Sequence, residues 1–237
     1  MRSSTGTPSR SEVEVRRLGL ILYADALALQ RELVEERREG RIGDLLLLVE
    51  HPHVLTLGVR GDGGRSHILA SAEALASRAI DVHETGRGGD ITYHGPGQVV
   101  GYPILDLRPD RCDVHRYVRD LEEVLIRAVA GVGIVSHRLP GLTGTWVGNE
   151  KLAAIGVRIA RWVTSHGFAL NVSTNLEHFG LIVPCGITGK GVTSMDILSR
   201  KPTGMTDVES AVLDAFCVVF DRQLLQPAHA AAPIKNR

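Results

Sequence analysis

Two strand-like stretches, Lys151 to Ala160 and Trp162 to Val172, stand one residue apart, close enough to form a hairpin. The run Asp44 to Val49 is short, apolar throughout its interior and closed by His51 and Pro52, which suits a buried strand better than a helix. Val54 to Leu57 reads as its partner, and Gln98 to Leu105 as a further strand. Helical spacing is interspersed with these. Val114, Tyr117, Val118, Leu121, Val124, Leu125, Ala128 and Val129 recur behind Asp113, which suits an N-cap. A second helix is expected from Thr206, where Thr206 and Glu209 have capping-box spacing, and another over Tyr23 to Arg38. Regular βαβ alternation is absent. The expectation is therefore an α/β fold of the α+β type, with a mixed, largely antiparallel central sheet and packed helices, rather than a doubly wound parallel sheet.

At 237 residues, with 43% hydrophobic and 23% charged content, the chain can fill one core generously but not two. A single catalytic domain over residues 12–225 is expected, between a loose extension at 1–11 and a loose tail at 226–237. No apolar run reaches the ~18 residues that span a bilayer, and the first ten residues lack the apolar middle of a secretory signal. A cytosolic protein without membrane contact is expected. Three cysteines, Cys112, Cys185 and Cys217, show no CxxC spacing, so free thiols are expected rather than disulfides or zinc. Lys plus Arg balance Asp plus Glu at 27 each, so nothing global steers the chain to nucleic acid.

Three segments carry candidate chemistry. From Gly86 through Gln98 there are five glycines in thirteen residues, a backbone that a ligand can approach closely. Arg87 there can hold an anion and His94 can exchange a proton, while a glycine-rich hairpin with incidental Arg and His is the plain alternative. Lys151 opens a strand of small and apolar residues, so its ammonium can point into a poorly hydrated cleft or stay solvated at the surface. Cys185 stands between Pro184 and Gly186, which suits an accessible thiol at a tight turn. A thiol with pKa ~8.5 needs a nearby cation or base to act as a nucleophile at neutral pH, and Lys151 and His94 are the candidates. The alternative is a small buried hydrophobe. Cys217 reads as packing within a helix; Cys112, just before a helix N-terminus, is the rival nucleophile.

These residues fall into a familiar order. Glu50-His51-Pro52 with Leu55-Thr56-Leu57-Gly58, then RGGDITYHGPGQ from Arg87 with Val100-Gly101-Tyr102-Pro103, then Lys151 in KLAAIGV, His166-Gly167-Phe168-Ala169-Leu170-Asn171, and Ile182-Val183-Pro184-Cys185-Gly186 resemble the octanoyltransferases of lipoate biosynthesis. The resemblance spans Val15 to Phe220. It implies the fold shared with biotin and lipoate protein ligases, with no cofactor. It also implies an octanoyl group taken from acyl carrier protein and delivered to lipoyl domains of 2-oxoacid dehydrogenases and to the glycine-cleavage H protein. By motif match, Cys185 is the implied acyl-thioester nucleophile and Lys151 its activator. Arg87, Gly88, Gly89, Asp90, Ile91, Thr92, Tyr93, His94, Ala154, Ile155, Gly156, Gly167, Phe168 and Ala169 are the implied acyl site. A monomer is expected. Arg37, Arg38 and Arg41, or Arg116 and Arg119, can guide acidic carriers to dock. An ATP-dependent ligase, a non-catalytic carrier-binding protein and a metal protein using His51 and His53 are the competing classes, the last without a complete ligand set.

Overall fold

The computed structural model describes residues 11–60, 62, 64–183, 189–199 and 203–225, and the statements that follow concern these. The chain runs β1 (Glu12–Leu20), α1 (Tyr23–Arg38), β2 (Asp44–Glu50), β3 (Val54–Leu57), α2 (Ala72–Ala76), β4 (Asp81–Glu84), β5 (Thr92–His94) and β6 (Gln98–Ile104). It continues with α3 (Val114–Ala130), β7 (His137–Leu139), β8 (Leu142–Val147), β9 (Glu150–Ala160), β10 (Val163–Asn171), β11 (Gly191–Val192), α4 (Met195–Leu198), α5 (Met205–Phe220) and β12 (Gln223–Leu224).

The main sheet has the order β12-β1-β2-β6-β10-β9-β8-β7, with β11 added beside β9. β1 is parallel to β2 and β12, and β11 to β9; the remaining neighbours are antiparallel. The sheet is thus mixed and largely antiparallel, as the sequence predicts. The β9–β10 hairpin forms, with Ala154 opposite Ala169 and Gly156 opposite Gly167.

β2 explains its own composition. Leu45, Leu47 and Val49 join the cluster under α1 with Ala26, Leu33 and Tyr102. Leu46 and Leu48 join the opposite cluster with α3 and α5, through Leu121, Leu125, Val212 and Phe216. Burial on both faces removes the polar alternation that a one-sided strand would show. It also settles the place of β3. Both edges of β2 are already taken by β1 and β6, so β3 pairs instead with β4 and β5 in a separate three-stranded sheet, contrary to the sequence expectation. That smaller sheet has its own core, in which Leu55, Leu57, Ile91 and Tyr93 meet Phe179 and Ile182.

Helix α3 starts as expected, the Asp113 side chain accepting from the Arg116 N–H at 3.0 Å. α5 does not use the Thr206–Glu209 box. It begins at Met205 behind Gly204, with no side-chain cap, and Glu209 instead accepts from Arg17 Nε at 3.1 Å. The arginines at the end of α1 that the sequence offers for docking are paired, Arg37 and Arg38 within the fold and Arg41 at the surface. Arg37 donates to Asp44 at 2.9 Å and Arg38 to the Ala160 carbonyl at 3.2 Å, while Arg41 pairs with Glu39. On α3, Arg116 and Arg119 are half exposed and reach Asp120 and Glu122. No helix among the described residues is long and apolar enough to cross a membrane. Residues 1–10 and 226–237 lie outside the described chain.

Candidate active site

Where the glycine-rich loop crosses the β9–β10 hairpin, the two enclose a cavity of about 340 Å³. Arg87 to Thr92 and His94 form one wall, Ala154 to Val157 and His166 to Ala169 another, and Val114 and Val118 of α3 close a third side. Lys151 opens into the same space. Every residue of the acyl site implied by sequence lines this cavity except Tyr93. The Tyr93 ring is buried in the smaller sheet, stacked on His178 at 5.1 Å with its hydroxyl 2.7 Å from His53 Nδ1. Alternation along β5 sends Tyr93 to the face opposite its neighbours Thr92 and His94.

The small residues serve two different ends. A Cβ on Gly167 would stand 2.1 Å from the Gly101 carbonyl oxygen, so this glycine lets β6 and β10 approach. Gly156 keeps room for the Arg87 side chain, whose Cδ would meet a Cβ there at 3.0 Å. Arg87 itself is buried and anchored, Nη2 donating to the Thr56 carbonyl at 2.5 Å and to Thr56 Oγ1 at 2.9 Å. The Gly88 N–H donates to the Val157 carbonyl at 2.8 Å, fastening the loop to β9.

A directed chain of hydrogen bonds starts at Arg87. Because Thr56 Oγ1 accepts from Arg87, its proton is turned to His94 Nε2, 3.3 Å away. His94 Nδ1–H then donates to Gln98 Oε1 at 2.7 Å, since Gln98 Nε2 faces the acceptors Tyr93 O and Asn171 Oδ1. Asn171 Nδ2 donates to the Thr193 carbonyl, and the Thr193 N–H to the Lys151 carbonyl, both at 3.0 Å. Each partner fixes the orientation of the next. Burial pushes the His94 imidazole down to about 3, with nearby His51 adding to the effect. His94 is therefore neutral with both ring nitrogens occupied, which does not suit the proton-accepting role open to it in the sequence.

Several lining groups have no role assigned by the sequence. Tyr23 faces the cavity, as does Tyr102 of the Val100-Gly101-Tyr102-Pro103 motif, to which the resemblance assigns no site role, and burial raises the Tyr23 hydroxyl to about 12. Tyr102 donates to His51 Nε2 at 2.7 Å while His51 Nδ1 donates to the Ile21 carbonyl at 2.8 Å, so His51 has no nitrogen left for a metal. No cluster of three or more metal-ligating side chains occurs among the described residues. His166 lines the cavity with a left-handed φ of 55°, its N–H held by Gln30 Oε1 at 2.9 Å. Burial, then the Arg87, Arg158 and Arg31 guanidiniums, push it down to about 4. In sequence it opens the motif His166-Gly167-Phe168-Ala169-Leu170-Asn171, but the implied acyl site begins only at Gly167.

Lys151 is buried at the start of β9, its Nζ 4.8 Å from the centroid of the Trp146 ring. Cys185, with Pro184 and Gly186, lies outside the described residues. The described chain ends at Val183, whose N–H donates to the His67 carbonyl at 2.8 Å. After it resumes at Gly189, Val192 pairs with Lys151. The other two thiols stand apart from the cavity. Cys112 Sγ points at the Leu107 carbonyl at 3.6 Å, and Cys217 packs against the core with its thiol pushed up by burial.

The sequence matches the lipoyl protein ligase A/B catalytic domain family over residues 22–217. It is 51% identical over 217 residues to an octanoyltransferase of Myxococcus xanthus, covering 89% of this chain and 60% of that longer protein. With an octanoyltransferase of Solibacter usitatus it shares 50% identity over 218 residues, which covers 92% of this chain and 97% of the relative. In fold it is similar to a T. acidophilum protein described as a lipoate protein ligase and solved with bound lipoic acid. The TM-score is 0.73 at 13% identity, over 91% of this chain and 89% of that one. Half identity sustained across almost the whole of a relative, on a fold of the ligase type, means that this chain belongs to the octanoyltransferases within the lipoyl protein ligase A/B catalytic domain family.

Proposed function

We propose that the chain transfers an octanoyl group from acyl carrier protein, through a thioester on Cys185, to a lysine of lipoyl domains and of the glycine-cleavage H protein, without ATP. The observation that carries this reading is a buried lysine, Lys151, opening into the same cavity as the small-residue wall of Ala154, Gly156 and Ala169. Burying an octanoyl tail there is worth ~5 kcal/mol, at about 0.8 for each methylene removed from water. The pairing of Val192 with Lys151 brings the chain that follows Cys185 back to this lysine.

In the first half-reaction the Cys185 thiolate attacks the carrier thioester carbonyl, the carbon–sulfur bond to pantetheine breaks, and Lys151 returns a proton to the departing sulfur. One thioester replaces another, so the step is nearly neutral. In the second, the acceptor lysine gives its proton to Lys151 and attacks the acyl-enzyme, and amide formation drives the step forward. With His94 locked neutral in its hydrogen-bond chain, Lys151 is the proton donor of the first half-reaction and the receiver of the second. The Gly88 N–H is already donated to Val157, so the backbone around Cys185 and Gly186, or the other N–H groups of the glycine-rich loop, are the proposed oxyanion donors.

Incubation with octanoyl-acyl carrier protein, followed by mass spectrometry, tests the assignment. A hydroxylamine-labile octanoyl adduct is expected on Cys185 in the wild type and in Cys112→Ser, and neither in Cys185→Ser nor, at comparable rate, in Lys151→Ala. An adduct on Cys112, or none, would sink it. The competing ligase reading predicts robust product from ATP and free octanoate with no carrier-bound acyl group.

A further inference from the structure

Strand β8 builds a socket around Lys151. The register of β8 against β9 shifts between Thr145 and Trp146, which sets Trp146 opposite Lys151. Gly144, at φ 117°, passes close behind the lysine stem: a Cβ there would lie 2.5 Å from the Ala153 carbonyl oxygen and 3.6 Å from Lys151 Cε. The Gly144 N–H is held at 3.1 Å by Glu122 Oε1, and Glu122, fully buried, is gripped by Arg119 at 2.5 Å and Arg138 at 3.0 Å. The Lys151 ammonium then meets the face of the Trp146 ring.

The indole is an odd choice on packing grounds. Trp146 is 1% exposed, and its Nε1–H is buried with no hydrogen-bond partner among the described residues. A phenyl ring in the same place would carry no orphaned donor. What indole offers beyond phenyl is the strongest π face for a cation. We propose that Trp146 is a positioning residue for the acyl-transfer reaction, its ring face fixing where the Lys151 ammonium stands in the cavity wall. The inference rests on the reading of Lys151 as the acid–base group.

The test changes the ring's charge and leaves its shape. Trp162, at the β9–β10 turn away from the cavity, is first replaced by Phe so that Trp146 is the sole tryptophan. The protein is then produced with tryptophan or with indoles of one to three fluorines, which weaken the π face stepwise. Steady-state transfer from octanoyl-acyl carrier protein to a lipoyl domain should show kcat falling in a graded way, by roughly tenfold across the series, with the donor KM within about twofold. Trp146→Phe should fall between the extremes, and its thermal unfolding should stay cooperative. A kcat that is flat across the fluorinated series overturns the inference, because a purely packing role would not sense fluorine on the ring face. Lys151→Ala separates the two readings. If it transfers at full rate, the acid–base reading itself fails; if it is inactive while the fluorinated series is flat, only the socket fails.

Discussion

Gln98 and Asn171 face each other across β6 and β10, and the Gln98 amide donates to Asn171 Oδ1 at 2.9 Å with both side chains buried. This pair joins the glycine-rich loop, through His94, to Thr193 and so to the backbone of Lys151. Asn171→Leu removes an acceptor from Gln98 and a donor from the Thr193 carbonyl in a single step. Leaving those two groups unsatisfied should cost about 2 to 3 kcal/mol. The change should be read as a lower urea midpoint at an unchanged slope. An unaltered midpoint would mean that water already satisfies both groups.

Ala154 stands in the cavity wall opposite Ala169. Ala154→Leu adds three carbons to space that the acyl tail is proposed to fill. At about 0.8 kcal/mol for each methylene displaced, the octanoyl donor should lose about fourfold in apparent affinity for every carbon pushed out. Shorter tails should lose less, so the KM ratio of hexanoyl to octanoyl carrier should fall. An equal loss at every chain length would place the tail elsewhere.

The parts of this protein that are legible in the amino-acid sequence are those whose signal is local. The glycines from Gly86 to Gly97 announce a close-approach loop by composition, and the β9–β10 hairpin by its one-residue gap. Helix α3 shows both its period and its cap. What stayed hidden depends on which strands neighbour one another. Val54 to Leu57 reads like any buried strand, and only the occupation of both edges of β2 sends it to the second sheet. Tyr23 comes from α1, and nothing near it in sequence says that it shares a cavity with Tyr102 and His166, which lie within family motifs on β6 and β10. Tyr93 shows the converse: motif membership placed it with its neighbours, while strand alternation turned it away.

Asp44, at the head of β2, accepts from Arg37 at 2.9 Å, from Arg222 at 3.0 Å and from the Asp106 N–H at 3.0 Å. It ties α1, the end of α5 and the exit of β6 to one carboxylate. The two guanidiniums are nearly as buried as their partner. Asp44→Ala should therefore destabilise the fold by about 3 to 5 kcal/mol, since it strands buried charge. Asp44→Asn, which keeps the shape and some acceptor capacity, should cost less. Guanidinium denaturation of the two variants measures the order, and equal losses would mean that the charge alone, and not the shape or the remaining acceptor, carries the effect.

His94 and His166 make the stability depend on pH. In the unfolded chain both imidazoles take a proton near 6.5; in the folded chain burial lowers these values to about 3 and about 4. Between those limits the unfolded chain binds more protons, so a falling pH favours unfolding. The contribution is complete above about pH 7 and declines as pH falls through 6.5. At pH 5 each histidine should have withdrawn roughly 2 kcal/mol, about 4 together. Urea midpoints measured from pH 7.5 to 5 should fall accordingly. His166→Asn removes one titrating group while tolerating the left-handed backbone, and should flatten that fall by about half. A slope that is the same in the variant would mean that His166 titrates alike in the folded and unfolded chains, and its burial against the arginines would then have to be less complete than the packing of β10 on α1 implies.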